Sequence, residues 1–189
     1  NKLITSGGGG ALVTDSPDLA KRARHLSTQA KSDELEFVHD EVGYNYRLTN
    51  IQAAVGLAQV ERLEEHIARK LEIARTYADA LAEIPGTTPM PAAPWAEPVH
   101  WLYTMLVDER LYGESSRSLI RRLRDCRIDS RPLWQPLHLS PAHAGSYATD
   151  CTVAERLNRD AVSLPSSVGL DARQQTRVID VLRVRPGRG

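Results

Sequence analysis

Between Thr49 and Ile84, apolar side chains return every three or four positions at Ile51, Val55, Leu63, Ile67, Leu71, Ala74, Tyr77, Leu81 and Ile84. That period marks one face of an α-helix, and Pro85-Gly86 supplies a stop. The spacing predicts one long helix over 49–84. About 35 residues at 1.5 Å each would span roughly 50 Å, wider than a small domain, so the helix reads as a link between two lobes. Upstream, Ala11-Leu12-Val13-Thr14 is a short apolar, β-branched run that suits a strand ending at Asp15. Ser16 and Pro17 then carry a helix start, with Leu19, Ala20, Ala23 and Leu26 as a core-facing stripe. Residues 27–48 show no sustained period and read as an ordered, functional loop.

Beyond the helix, residues 85–98 are rich in proline and suit an extended connector, where a domain boundary belongs. His100 to Val107 alternates as a strand apolar on both faces. Ser115 or Ser116 caps a helix with Leu119, Ile120, Leu123 and Cys126 facing inward. An extended stretch at 128–131, a proline-rich loop at 132–141, a helix near 153–159, a strand at 162–164, a last helix over 171–182 and a frayed tail at 185–189 complete the reading. Strands alternating with helices place this lobe in the α/β class.

Composition narrows the function classes. The 189 residues are 41% hydrophobic and carry 24 basic and 24 acidic side chains, for zero net charge. A core is therefore affordable in apolar surface, and the broad positive field that nucleic acids or acidic membranes attract is missing. No apolar stretch approaches the roughly 20 residues of a membrane helix, and no signal-peptide layout opens the chain, so a soluble cytoplasmic protein is expected. Cys126 and Cys151 lie 25 positions apart without a Cys-x-x-Cys pair or a His cluster, which suggests neither a metal nor a disulfide. Arg117, Arg121, Arg122, Arg124 and Arg127 form a basic helix face, but Leu119, Ile120 and Leu123 explain it as an ordinary amphipathic helix; no nucleic-acid partner is expected.

Four places could carry chemistry. Lys2 is one of four lysines against twenty arginines; lysine, unlike arginine, can lose its proton and form a Schiff base, although a solvated terminal lysine is the plainer reading. Gly7–Gly10 could be a linker, an anion-cradling nest or a close backbone approach, and matches neither the phosphate loop nor the dinucleotide pattern. Gly43-Tyr44-Asn45-Tyr46-Arg47 gathers an amide, two phenols and a guanidinium, suited either to a phosphate or to loop packing. Arg131, Trp134 and His138, on a loop stiffened by prolines, could hold a sugar or phosphate, or serve structure.

Taken together, these segments resemble the carboxy-terminal half of the DegT/DnrJ/EryC1/StrS family of sugar aminotransferases. The match runs through Asn1-Lys2-Leu3-Ile4-Thr5-Ser6-Gly7-Gly8-Gly9-Gly10-Ala11, through Gly43-Tyr44-Asn45-Tyr46-Arg47-Leu48-Thr49-Asn50-Ile51-Gln52-Ala53-Ala54, and through Ser130-Arg131-Pro132-Leu133-Trp134 to Leu139, with Leu164-Pro165-Ser166. The resemblance implies an α/β fold of type I, the aspartate aminotransferase-like class of pyridoxal 5′-phosphate enzymes. It implies the end of a large cofactor-binding domain over 1–48, a linking helix over 49–84, a connector over 85–98 and a small α/β domain over 99–189.

By the same resemblance Lys2 is the Schiff-base lysine and catalytic proton carrier. Asn45 reaches the cofactor phosphate of the neighbouring subunit of a homodimer, and Arg131 and His138 contact the nucleotide-sugar. Glutamate donates the amino group, and the acceptor is a UDP-linked 4-keto-6-deoxy-N-acetylhexose, for polysaccharide or glycan biosynthesis. The family's same-subunit phosphate cup and its aspartate for the pyridine nitrogen lie before the lysine, so the isolated chain is expected to be inactive. A non-catalytic dimerisation or regulatory module of the same fold, and a nucleic-acid binder using the basic helix, are the competing readings.

Overall fold

The computed structural model describes residues 2–33 and 35–185; Asn1 and the end of the tail expected to fray, 186–189, lie outside them. The chain divides into two compact units, Asn1–Glu64 and Glu65–Gly189, a division that falls inside a helix. Among the described residues no helix is long and apolar enough to cross a membrane.

In the first unit the run 11–14 is not a strand. It has no ladder partner among the described residues, and Val13 is 94% exposed. A β-branched sequence favours extension but cannot supply the second strand that makes a ladder. Helix α1 (Pro17–Ser27) forms where expected: the Ser16 hydroxyl accepts from the Leu19 N–H and Pro17 occupies the first turn. None of its residues is buried, so the Leu19–Leu26 stripe is not a core face within this unit. The loop 27–48 holds more structure than its pattern shows. Strands β1 (Lys31–Asp33) and β2 (Val38–His39) pair antiparallel with an irregular register, and Thr28 bridges Asn45.

The helix expected over 49–84 is two. Helix α2 (Asn50–Val60) starts at a reciprocal cap between Thr49 and Gln52. It ends with Arg62 N–H bonded to the Gln59 carbonyl, a tightened turn, and α3 (Leu63–Ala82) begins anew. The periodicity bridges this break because α2 buries none of its residues, whereas α3 buries seven; packing, not propensity, sets where the second segment starts.

The second unit is built on an antiparallel sheet, β3–β4–β5, formed by β3 (Thr87–Thr88), β4 (Tyr103–Val107) and β5 (Ala161–Leu164). The expected connector thus opens with an edge strand, pairing Thr87 with Val107. Gly86 (φ 84°) permits this turn, since a Cβ there would strike the backbone of Tyr112. After β4 come a short helix unmarked by any periodicity, α4 (Glu109–Tyr112), then α5 (Ser116–Asp125), α6 (Thr152–Asp160) and α7 (Ala172–Arg183). Ser115 caps α5, and Asp171 caps α7 with Gln174 in return. Two 3₁₀ turns, Leu137–Leu139 and Pro141–His143, punctuate the proline-rich loop.

The core gathers Ile73, Tyr77 and Leu81 of α3, Tyr103, Met105 and Val107 of β4, Leu119 and Leu123 of α5, Val162 and Leu164 of β5, and Val178 and Leu182 of α7. Tyr103, Met105 and Val107 are the buried set of β4, as their alternation requires. β5 is buried at all four residues, and its free edge is closed by Arg131, whose N–H and carbonyl exchange bonds with Ser163 at 3.1 and 2.7 Å. That bridge pins the start of the loop bearing Trp134 and His138.

Candidate active site

In the first unit Lys2 is exposed and lines a cleft of about 830 Å³ whose walls are Ile4 to Gly9 and the α2 residues Ala53, Gly56 and Leu57. The Gly7 N–H donates to the Thr5 hydroxyl at 3.0 Å, and the Ser6 hydroxyl donates to the Gly8 carbonyl at 2.6 Å, so the run is a built turn rather than a linker. A Cβ on Gly8 would stand 2.9 Å from Gln52 Nε2, and one on Gly9 (φ 95°) would meet Leu48. The contacts are with the ends of flexible side chains, so it is the left-handed φ of Gly9 that favours glycine here.

A second cleft of about 890 Å³ in the same unit lies between Gly9–Leu12, α1 and the Tyr44–Gln52 segment. Gly43 sets the course of that segment, because a Cβ would overlap the Gln29–Ala30 backbone. The crossing lets Tyr44 N–H donate to Leu26 O at 2.7 Å, Gln29 N–H to Tyr44 O at 3.1 Å and Tyr46 N–H to Ser27 O at 3.1 Å. The Tyr44 and Tyr46 rings stack at 5.2 Å, and the Asn45 side chain between them is exposed without a side-chain hydrogen bond among the described residues. Lys2 and Asn45 thus belong to one unit, but Asn45 lines neither cleft.

Arg22 grips both carboxylate oxygens of Glu41, and His25 Nε2 lies 2.8 Å from Asp40. The Arg22 bond holds the Glu41 carboxyl below the usual carboxylate range and raises the guanidinium in turn. His25, Asp40 and Glu41 offer metal-type donors within 4.8 Å of one another; with Glu41 taken by Arg22, the cluster is an ion-pair knot tying α1 to the residues just after β2.

In the second unit Arg131 reaches outward, its side chain 78% exposed and 3.3 Å from Asp129. His138 Nε2 is 2.8 Å from Glu155 on α6. Trp134, 68% exposed, stacks on Trp101. The fold therefore collects Arg131, Trp134 and His138 on one anchored loop. Of the basic helix, Arg117 donates to Asn158, Arg121 to Ser118, and Arg122 to Glu114, Tyr112 and Val181, so three of the five arginines are engaged within the unit.

A buried polar group escaped the sequence reading. Lys70 is 4% exposed and donates to the carbonyls of Trp101 and Ser166 and to the Ser166 hydroxyl; burial pulls its pKa down to about 8. Burial, reinforced by the Lys70 charge, also lowers the pKa of His100. The signal available was Lys70 itself, a lysine in an arginine-rich chain on the helix face otherwise given to Ile73, Ala74 and Tyr77.

The arrangement defines a class before a family. Solved structures similar to this chain are aminotransferases: TlmJ from Streptoalloteichus hindustanus, with a TM-score of 0.84 and 27% identity over 96% of this chain and 48% of that one, and DesV from S. venezuelae, with a TM-score of 0.75 and 33% identity over 90% and 45%. The fold is that of the type I pyridoxal phosphate-dependent transferases, in its mixed α/β form. The chain belongs to the DegT/DnrJ/EryC1/StrS aminotransferase family, whose sequence model matches residues 1–183.

Curated relatives include the Bacillus subtilis (strain 168) protein named "Putative pyridoxal phosphate-dependent aminotransferase EpsN", 37% identical over 96% of this chain and 47% of its own length. GDP-perosamine synthase of Caulobacter vibrioides is 37% identical over 96% and 49%, and dTDP-3-amino-3,4,6-trideoxy-alpha-D-glucose transaminase of Streptomyces venezuelae 34% over 94% and 45%. The chain spans about half the length of these relatives.

Proposed function

We propose that this chain supplies the lysine-bearing half of a cytoplasmic, pyridoxal phosphate-dependent nucleotide-sugar aminotransferase. It would move the amino group of glutamate to a UDP-linked 4-keto-6-deoxy-N-acetylhexose, in polysaccharide or glycan biosynthesis. The observation that carries the reading is the placement of Lys2 at a glycine-walled cleft, the one lysine that lines either large cleft of its unit among the described residues.

The residues present fit the reactive end of the cofactor, since Lys2 offers a primary amine at a cleft walled by Gly7, Gly8 and Gly9. Pyridoxal phosphate, when bound, supplies an aldehyde carbon and a ring that takes up the electron pair left when a substrate C–H is deprotonated. Lys2 Nζ would hold that group covalently and, with its amine free, would carry the proton taken from the donor carbon. The exposed Asn45 carboxamide would donate to the cofactor phosphate at the site of a second copy of the chain, so the working form would be a homodimer with shared sites. Arg131 presents a guanidinium to the diphosphate and His138 an imidazole, oriented by Glu155, to the sugar.

The test is to incubate the chain with pyridoxal phosphate, reduce with borohydride and map the peptides. A pyridoxyl group on Lys2 in preference to Lys21, Lys31 and Lys70 is expected; equal labelling of the exposed lysines would overturn the assignment. The chain alone is expected to aminate nothing. Complemented with the amino-terminal half of a relative, it is expected to aminate a UDP-linked 4-keto sugar faster than GDP- or dTDP-linked ones, and Lys2→Ala abolishes this.

A further inference from the structure

Three tryptophans occur in the chain, and the fold treats them differently. Trp95, 88% exposed, has no ring partner among the described residues and sits in the proline-rich connector. Trp134 is also largely exposed, yet it is held from several sides. Its ring stacks on Trp101 with centroids 5.9 Å apart and planes 27° from parallel. Asn158 Nδ2 donates to the carbonyls of Leu133 and Trp134 at 2.7 and 3.0 Å, and Arg117 in turn donates to the Asn158 carbonyl at 2.9 Å. Beneath, Lys70 fixes the Trp101 carbonyl at 3.0 Å. Pro132 and Pro136 stiffen the segment on either side.

An indole with one face against a partner ring and the other facing solvent, fixed by its own backbone, is costly as mere surface. It is well formed as a preorganised stacking platform. Stacking on a π-face is tolerant of which base is presented. The charge pattern around it fits a nucleotide: Arg131 lies three residues before Trp134, and His138, oriented by Glu155, four residues after.

Resting on the nucleotide-sugar reading above, we propose that the outward face of Trp134, backed by Trp101, is the stacking platform for the heterocyclic base of the nucleotide-sugar. The base, and not the hexose, is the occupant, because the outward face of Trp134 is flat, apolar and 68% exposed, whereas the donors suited to phosphate and sugar hydroxyls stand on either side of it in the loop. The platform fixes how the nucleotide lies without selecting its base.

The test titrates the chain, with Trp95→Phe to reduce background, with UDP, GDP, uridine, ribose 5-phosphate and N-acetylglucosamine, reading tryptophan emission and calorimetric affinity. Quenching is expected with UDP, GDP and uridine and not with ribose 5-phosphate or N-acetylglucosamine. Trp134→Ala should weaken UDP binding about fivefold or more, the size of one lost base stack, and Trp134→Phe should retain most of it. Circular dichroism confirms that each variant is folded, and the phenylalanine variant keeps the result readable if alanine disturbs the loop. Unchanged UDP affinity in Trp134→Ala, quenching by the sugar alone, or no quenching by UDP would each overturn the platform. The borohydride labelling of Lys2 reads the aminotransferase assignment independently, so either can fail while the other stands.

Discussion

The Lys70 ammonium is bonded to the Trp101 carbonyl at 3.0 Å, deep in the second unit, and makes no ion pair with a carboxylate among the described residues. A cation held only by carbonyl dipoles and one hydroxyl is strained by desolvation, which brings its pKa from 10.5 down to about 8. The unfolded chain therefore binds this proton more tightly than the folded one. Stability contributed by this site rises as pH increases from about 8 to about 10.5. Urea midpoints measured across that window should rise in the wild-type chain and flatten in Lys70→Met; an unchanged slope in the variant would refute the assignment.

Two buried tyrosines act in the opposite sense at higher pH. Burial raises the pKa of Tyr77, whose hydroxyl donates to the Pro165 carbonyl at 2.8 Å, and pushes that of Tyr103 up to about 12. Because both are raised above 10, their contribution is complete below that pH and lost as pH climbs towards the folded-state values. The Tyr103 hydroxyl is buried without a hydrogen-bond partner among the described residues, unlike that of Tyr77. Tyr103→Phe should therefore cost nothing at pH 7 or raise the melting temperature, whereas Tyr77→Phe should cost about 1 kcal/mol. Calorimetry of the pair decides it.

Gly43 and Gly10 separate steric need from simple flexibility. A Cβ at Gly43 overlaps the Gln29–Ala30 backbone, while one at Gly10 meets nothing within 4 Å. Gly43→Ala should destabilise the first unit by about 2 kcal/mol or more and free the Tyr44–Tyr46 pair, and Gly10→Ala should be neutral. Limited proteolysis at 27–48 measures the difference.

Arg131 should matter for ligand and hardly at all for folding. Its ion pair with Asp129 is a surface contact of two largely exposed side chains, worth little to stability. Arg131→Ala should leave the unfolding midpoint within about 0.5 kcal/mol of wild type and weaken UDP binding roughly tenfold. A similar loss for uridine, which has no phosphate, would show that the arginine does not read the diphosphate.

What the residue pattern determined about this protein is local and chemical. Ser16-Pro17, Ser115 and Asp171 carry their own hydrogen-bonding partners within one turn, so the starts of α1, α5 and α7 were legible, as was the alternation of β4. The lysine before a glycine run and the Gly-Tyr-Asn-Tyr-Arg and Arg-Pro-Leu-Trp segments were legible too, because their chemistry lies in residue type and spacing. Tertiary structure decided the rest. Ala11–Thr14 has strand composition but no neighbour, and the break at Glu61–Arg62 follows from what α3 buries and α2 does not. The short α4, the Lys70 site and the Trp101–Trp134 pair depend on residues 30 or more positions apart, or on a turn forced by close approach to Gly86. Contacts of that kind leave no periodic trace, since each partner alone satisfies the pattern of its own segment and only the fold brings the two within reach.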